Sequence, residues 1–164
     1  MALTTDILGS YRAPRRVMRR HLDAGVREDR ALFYLMLGCA VLFVSQWPVL
    51  ARDAYLDPSV PLQARLGGAL LALLFIAPLV LYLLAALTHL PMKLVGGQGS
   101  WFGARLALFW ALVAAAPLWL LNGLVAGFLE GPIVQIVGFV VLVGFLALWG
   151  ASLWEAERPE GPAA

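Results

Sequence analysis

Few side chains in this chain of 164 residues could do chemistry, and their types and spacing argue against most of it. There are two histidines, His21 and His89, and one cysteine, Cys39. Two histidines so far apart, with a cysteine inside an apolar run, do not make a metal site. Cys39 has no partner for an intrachain disulfide and reads as a small hydrophobe. Ser45, Ser100 and Ser152 lack a neighbouring acid and base pair, so no nucleophilic triad or dyad can be assembled. His89 is the one imidazole within a long apolar stretch. It lies near the end of that stretch, where a snorkelling or hydrogen-bonded role outweighs a proton relay. The segment Gly96-Gly97-Gln98-Gly99-Ser100-Trp101-Phe102-Gly103 is rich in glycine but lacks the Gly-Lys-Ser/Thr ending of a phosphate loop. It reads as a flexible connector with an interfacial Trp-Phe anchor, and secondarily as a partner-docking loop beside Lys93 and Arg105. No catalytic residue, metal or cofactor is expected, and the chain reads as a non-enzyme.

The elements that would position these groups follow from where charge is missing. Ala31–Ala51, Leu66–Met92, Leu106–Leu129 and Gly131–Trp154 contain no Asp, Glu, Lys or Arg. Each is long enough as a helix to cross a hydrocarbon core of about 30 Å. Hydrophobic residues make up 62% of the chain, which leaves room for one membrane domain and no separate soluble one. The expected fold is therefore all-α: a polytopic four-transmembrane-helix bundle preceded by a basic amphipathic helix. Residues 1–30 form a basic cytoplasmic segment, 31–154 the transmembrane domain and 155–164 a cytoplasmic tail. The four spans are placed at about 31–51, 66–90, 106–129 and 132–154.

Charge also orients the bundle. Seven basic residues fall in the first thirty positions, Arg52 and Arg65 in the first loop, Lys93 and Arg105 in the second, and Arg158 in the tail. With both termini inside, ten basic residues lie inside and two outside, so the positive-inside rule favours N-in and C-in. Trp101, Trp149 and Trp154 would then sit near the inner interface, and Trp47 and Tyr55 near the outer one. Arginine occurs eleven times against a single lysine, a usage that fits a GC-rich bacterial genome. The inner (cytoplasmic) membrane of a bacterium is the expected location.

The stretch Pro14–Ala24 starts on a proline and stops at Gly25, as helices often do. At 100° per residue, Arg15, Arg16, Arg19, Arg20 and Asp23 share one face, and Pro14, Val17, Met18, His21, Leu22 and Ala24 the other. Arg12, Arg15, Arg16, Arg19 and Arg20 are candidates for binding anionic headgroups. An apolar face packed on the bundle is the equal alternative. Nucleic acid is not expected as a partner, since no aromatics interleave with the arginines. Pro78 and Pro117 sit mid-span and should kink their helices. Gly123, Gly127 and Gly131 recur every fourth residue, a spacing that lets helices approach closely. Asn122 and Gln135 flank the tight turn Glu130-Gly131-Pro132 at similar depth, and are expected to hydrogen-bond to each other or to backbone.

This pattern resembles the bacterial branch of the Yip-domain family of integral membrane proteins, named in eukaryotes for binding Ypt/Rab GTPases. The carrying residues are Pro14-Arg15-Arg16-Val17-Met18-Arg19-Arg20, the helix after them, and Phe102-Gly103-Ala104-Arg105-Leu106-Ala107-Leu108-Phe109-Trp110. The likeness spans about residues 5 to 154. It implies a polytopic bundle with a cytoplasmic N-terminus and brings no catalytic residues. Eukaryotic members act in vesicle trafficking, oligomerise and typically have five spans, against four runs here. A bacterial cell lacks the Rab partner, so that role is not carried over. The expected function is a small membrane scaffold or accessory subunit, touching the lipid bilayer and other membrane proteins or a second copy of itself. The alternative is a small transporter or permeation protein that uses the proline-kinked helices as moving parts. A transporter would gather Asn122, Gln135, Thr88 and His89 around one water-filled pocket, whereas a scaffold would use them in local contacts.

Overall fold

The computed structural model describes residues 3–94 and 99–158, and among them it is helical with no strand. Gly96, Gly97 and Gln98 of the glycine-rich connector, and the tail beyond residue 158, lie outside the described residues. The helices are α1 (Leu3–Arg12), α2 (Pro14–Asp23), α3 (Glu28–Leu56), α4 (Leu62–Leu71), α5 (Ala77–Leu94), α6 (Trp101–Ala114), α7 (Ala116–Phe128) and α8 (Pro132–Ala156). A π-helical turn, Ala72–Ile76, joins α4 to α5 without a break in direction of the chain. Among the described residues, three helical stretches are long and apolar enough to span a membrane: Glu28–Leu56, Leu62–Leu90 and Pro132–Ala156. A fourth exists if α6 and α7, bent by 48°, count as one.

The chain is built around α6. Every residue from Phe102 to Ala116 except the half-buried Arg105 is buried, and Phe109, Leu106 and Leu108 are sealed completely. A helix apolar on all sides belongs in the middle of a bundle, because no face of it prefers water. Helices α3, α5 and α8 surround it, with α1 and α2 laid over the remaining side. By contrast α4 and the π-turn bury nothing. Leu71, Phe75, Ile76, Leu79, Val80, Leu83 and Leu87 all stand exposed along that flank. So extended an apolar surface is stable only in hydrocarbon or against another apolar surface.

Pro78 and Pro117 shape the long helices in different ways. Pro78 has no N–H for the Leu74 carbonyl, and its ring would crowd the preceding turn. The helix widens just upstream, where the Ala77 N–H reaches the Ala72 carbonyl, one residue further back than in an α-helix. Pro117 lies in the first turn of α7, where a missing N–H is tolerated. The bend itself falls two residues earlier, at Ala115 (φ −80°, ψ 3°), whose carbonyl accepts from both Leu118 (2.9 Å) and Trp119 (3.0 Å). The span expected over 106–129 with a kink at Pro117 is thus two helices bent by 48°, with the bend at Ala115 and not at the proline itself. Pro48 sits inside the continuous helix α3, on the side that faces Gly127.

The glycine spacing divides between two roles. A Cβ on Gly123 would overlap the Ser45 backbone carbonyl, and one on Gly127 would overlap Pro48. These two glycines let α7 lie directly on the α3 backbone. Gly131 is a correction: it lies in no helix interface. It precedes α8 with φ +80°, and nothing stands within 4 Å of where its Cβ would be. The short turn between α7 and α8 needs a left-handed residue there, which glycine supplies at no steric cost. The expected bond between Asn122 and Gln135 is also corrected. Gln135 is exposed, and the Asn122 Oδ1 faces Gly138, 3.5 Å from the place of its Cβ. The polar side chain of α8 points away from its neighbour because Gly138, not Gln135, occupies the α7-facing side of that turn.

Candidate functional site

Charge in the folded chain collects at the two ends of the bundle. At the far end, Arg52 pairs with Glu130, and Arg65 with Asp57 at 3.2 Å. At the end that carries both terminal segments, the pairs are more numerous and more buried, and most join different helices. Arg105 of α6 meets Glu28 of α3 at 2.5 Å. Arg19 of α2 meets Glu155 of α8 at 2.8 Å. Arg20 of α2 pairs with Asp6 of α1.

The tightest knot is His89 with Glu157. His89 Nδ1 lies 2.7 Å from Glu157 Oε1, and the two side chains are 0% and 3% exposed. Glu157 Oε2 also accepts from the Gly99 N–H at 3.2 Å. One carboxylate therefore ties α5, the start of α6 and the end of α8 together. Trp101 covers the imidazole, with ring centroids 4.5 Å apart. His89 is thus a hydrogen-bonded, buried side chain. Its second nitrogen, Nε2, is buried and has no hydrogen-bond partner. Ser100 begins α6 by accepting from the Gly103 N–H at 3.0 Å, satisfying one of the helix's free donors.

A second polar cluster fixes the N-terminal hairpin. Val17, Met18 and His21 of α2 are buried, so the apolar face of this helix packs on protein. His21 sits 4.3 Å from the Trp110 ring and 5.5 Å from the Tyr34 ring, between centroids. Its Nε2 is 3.9 Å from Asp6 Oδ2. Burial pushes the imidazole down to about 4, against an upward pull from Asp6 and a further downward push from Arg30 and Arg20. Ser10 accepts from Trp110 Nε1 at 3.1 Å and donates to the Asp6 carbonyl at 2.8 Å. Arg30 closes the turn after α2 by donating to the carbonyls of His21 (2.7 Å) and Gly25 (3.0 Å).

Tyr11 completes this arrangement. Its hydroxyl donates to the Ala114 carbonyl at 2.9 Å. In a continuous helix that carbonyl would receive the Leu118 N–H, but at the bend Leu118 turns to Ala115 instead. A side chain from α1 therefore satisfies the backbone group that the break in α6–α7 releases.

The five arginines proposed for headgroup contact divide in two. Arg12, Arg15 and Arg16 are exposed. Arg19 and Arg20 are engaged with Glu155 and Asp6. Thr88 donates to the carbonyls of Leu84 (3.0 Å) and Ala85 (3.1 Å) of its own helix. Thr88 and His89 lie at the terminal end, Asn122 and Gln135 toward the other, so the four polar groups line no common pocket. A cavity of about 280 Å³ does open between α5 and α6, lined by Tyr82, Ala86, Trp101 and Arg105. Among the described residues, no group of three or more His, Cys, Asp or Glu side chains could hold a metal ion.

Sequence reasoning missed Asp6, Ser10, Tyr11, Glu155 and Glu157. The last two fall in the segment that the sequence reading gives as a cytoplasmic tail. The signal for them was available: acidic residues within a turn of Trp154, facing a terminal region rich in arginine.

Comparison with curated proteins and with solved structures gives no match. The family model described as the Yip1 domain matches residues 8–158, from the middle of α1 through the end of α8. That range takes in the second half of α1, all of α2, the bent α6–α7 pair and Glu157, so the family's domain covers nearly all of the helices just described. The Yip1 family is a non-enzymatic membrane family. With its long apolar helices and this match over nearly its whole length, the chain belongs to the Yip1 family and is a multi-pass membrane protein.

Proposed function

We propose that this Yip1-family chain is a non-enzymatic scaffold or accessory subunit of a bacterial inner membrane, with both termini in the cytoplasm. It works by helix packing and by contact with the inner leaflet. The observation that carries this reading is where the polar side chains go. Those at membrane depth make local contacts or stand apart, and the polar pairs at the terminal end, buried at His89–Glu157 and more open at Arg105–Glu28, join one helix to another. A protein that moves a solute would leave polar groups facing a shared path.

The outer surfaces fit the same reading. Arg12, Arg15 and Arg16 point away from a hairpin whose apolar face is already covered. They suit anionic headgroups at the surface, each basic residue adding about 1 kcal/mol near an anionic leaflet. The flank of α4 and α5 suits lipid, another membrane protein or a second copy. The excess of basic residues at the terminal end favours the N-in, C-in orientation, and the arginine-rich usage favours a bacterial source.

Affinity purification from the native membrane in mild detergent tests the proposal. A membrane protein recovered at fixed stoichiometry, and lost when the α4–α5 flank is made polar at Phe75 and Leu79, supports an accessory subunit. Recovery alone, together with solute flux in reconstituted liposomes, would overturn it in favour of transport. The helix break at Ala115 suits moving parts, but Tyr11 ties it down.

A further inference from the structure

The cavity between α5 and α6 lies at the terminal end of the bundle, and its lining is unlike that of a void between packed apolar helices. Two walls are aromatic, Tyr82 and Trp101, and one is a guanidinium, Arg105. The Arg105 guanidinium stands 5.9 Å from the centroid of the Tyr82 ring. One of its terminal nitrogens is held by Glu28, but Nε is buried and has no hydrogen-bond partner. Lys93, at the end of α5, places its ammonium 5.8 Å from the centroid of the Trp101 ring. No carboxylate among the described residues lies within ion-pair reach of Lys93. Two cations thus stand on the aromatic walls of the cleft; Glu28 pairs with Arg105, Glu157 is taken up by His89 and the Gly99 N–H, and Lys93 is left without a carboxylate among the described residues. Such a site asks for an anion with several acceptor oxygens.

The surroundings say what else the ligand carries. Tyr82 and Ala86 lie on α5 beside Leu79, Leu83, Leu87 and Leu90, which are 72%, 59%, 55% and 53% exposed. The apolar flank therefore runs straight out of the charged cleft along the helix. An anionic head joined to a long hydrocarbon chain satisfies both parts, and a free inorganic anion only the first. Tyrosine and tryptophan are the side chains suited to that boundary between headgroup and hydrocarbon.

We propose that this cleft binds one anionic phospholipid, its phosphate held by Lys93 and Arg105 between Tyr82 and Trp101 and an acyl chain laid along α5. The site is separate from the arginines of α2, and it requires only that the chain is embedded in a membrane. It survives if the scaffold role fails, and the scaffold role survives without it.

Native mass spectrometry of the full chain in detergent micelles, titrated with phosphatidylglycerol or with phosphatidylcholine of the same acyl chains, tests it. The expected result is one retained phosphatidylglycerol, bound about tenfold more tightly than phosphatidylcholine. The double variant K93Q/R105Q should abolish that preference. Lys93→Gln alone, at an exposed position, should reduce it about threefold without risk to folding. Ala86→Phe, which fills the cleft and keeps both charges, should weaken phosphatidylglycerol binding. R12Q/R15Q/R16Q should leave the retained lipid in place. Four results would overturn the proposal: a preference unchanged in K93Q and A86F; a preference lost only in the α2 triple variant; full displacement by glycerol 1-phosphate, which would mark a small-anion site; or occupation by an acidic peptide in place of lipid.

Discussion

The two ends of this bundle hold their charges differently. At the terminal end, His89 and Glu157 are sealed from solvent, and one carboxylate serves three helices. At the far end, Arg52 reaches an exposed Glu130, and Arg65 an exposed Asp57. The contrast separates two uses of the same chemistry. An exposed pair is solvated whether or not it forms, so it contributes little. A buried pair adds little net stability over an apolar one, but losing one member strands the other in a medium that cannot solvate it. The terminal end should therefore be intolerant of single substitutions, and the far end permissive.

Glu157→Ala should have the largest effect. It leaves His89 buried with both nitrogens unsatisfied and frees the Gly99 N–H at the start of α6. A loss of about 3–5 kcal/mol is expected for breaking a buried pair from one side. Thermal unfolding in detergent, followed by tryptophan fluorescence, would read it. The double variant with His89→Leu should recover a large part of the loss. If the double is no better than the single, Glu157 acts through the Gly99 contact and not through the histidine.

The second effect is one of pH, and it comes from His21. The unfolded imidazole titrates near 6.5 and the folded one at about 4. Between those values the unfolded chain binds the proton and the folded chain does not, so stability rises with pH across that window. The contribution is complete above about 6.5, falls as pH drops toward 4, and changes no further below that. The size is on the order of 3 kcal/mol at full loss. The groups facing the ring are Asp6, Arg20, Arg30 and Tyr34, of which Arg20 and Arg30 resist its protonation and Asp6 favours it. Acidification should thus loosen the α1–α2 hairpin first. Faster proteolysis within residues 1–27 at pH 5 than at pH 7, suppressed in His21→Gln, would show it; equal rates would place the weak point elsewhere.

Gly123→Ala comes next, and it carries the comparison into the middle of the bundle. The new methyl would overlap the Ser45 carbonyl, which belongs to the α3 backbone and cannot rotate away. Overpacking of this kind costs about 1–3 kcal/mol. Gly131→Ala tests the other role: no side chain opposes it, but its φ of +80° is unfavourable for alanine. The expected cost is about 1 kcal/mol, and it should be unchanged by any substitution on α3. Coupling between Gly131→Ala and Ser45→Gly would contradict the division drawn between these glycines.

How much of this was legible in the sequence differs between the same regions. The charge-free runs could be read directly, because a bilayer core excludes ionised side chains wherever the chain crosses it. The prolines announced distortions but not their form. Pro78 widened a turn, and Pro117 became part of a fresh helix start, because each relieved its clash upstream, where the chain had room. The α7 glycines declared a close approach through their spacing, while the partner, α3, is remote in sequence and leaves no local mark. The partners of Glu157 and Tyr11 left no local mark for the same reason. Each binds a group 58 or more residues away, His89 and Gly99 for one and Ala114 for the other. A hydrogen bond across the fold imposes no period on the chain. Gln135 misled through its sequence symmetry with Asn122 about the turn, since helices that cross do not keep equal sequence distances facing each other.

Tyr11→Phe should cost about 1–2 kcal/mol, by leaving the Ala114 carbonyl without its donor at the helix break. Its signature is local: amide exchange should quicken at Leu118 and Trp119 and stay unchanged in α8. Uniform quickening would mean that the hairpin as a whole has come away, and that Tyr11 holds α1 in place and does not cap the bend.

The smallest effect is expected at the far end, from Arg52→Gln. Arg52 does more than pair with Glu130, for it also donates to the Leu129 carbonyl at 3.0 Å and lies 3.5 Å from that of Ala126. Both carbonyls close the C-terminus of α7, where a positive charge is favoured by the unpaired backbone oxygens. Glutamine keeps a donor for one of them and loses the charge, so about 1 kcal/mol or less should disappear, and high salt should remove most of the difference between the two proteins. Glu157→Gln at the terminal end should behave in the opposite way, insensitive to salt because no ion can approach a pair exposed by 3% or less. Matching salt dependence at the two ends would mean that water reaches His89 and Glu157, and that the terminal knot opens as readily as the exposed pairs do.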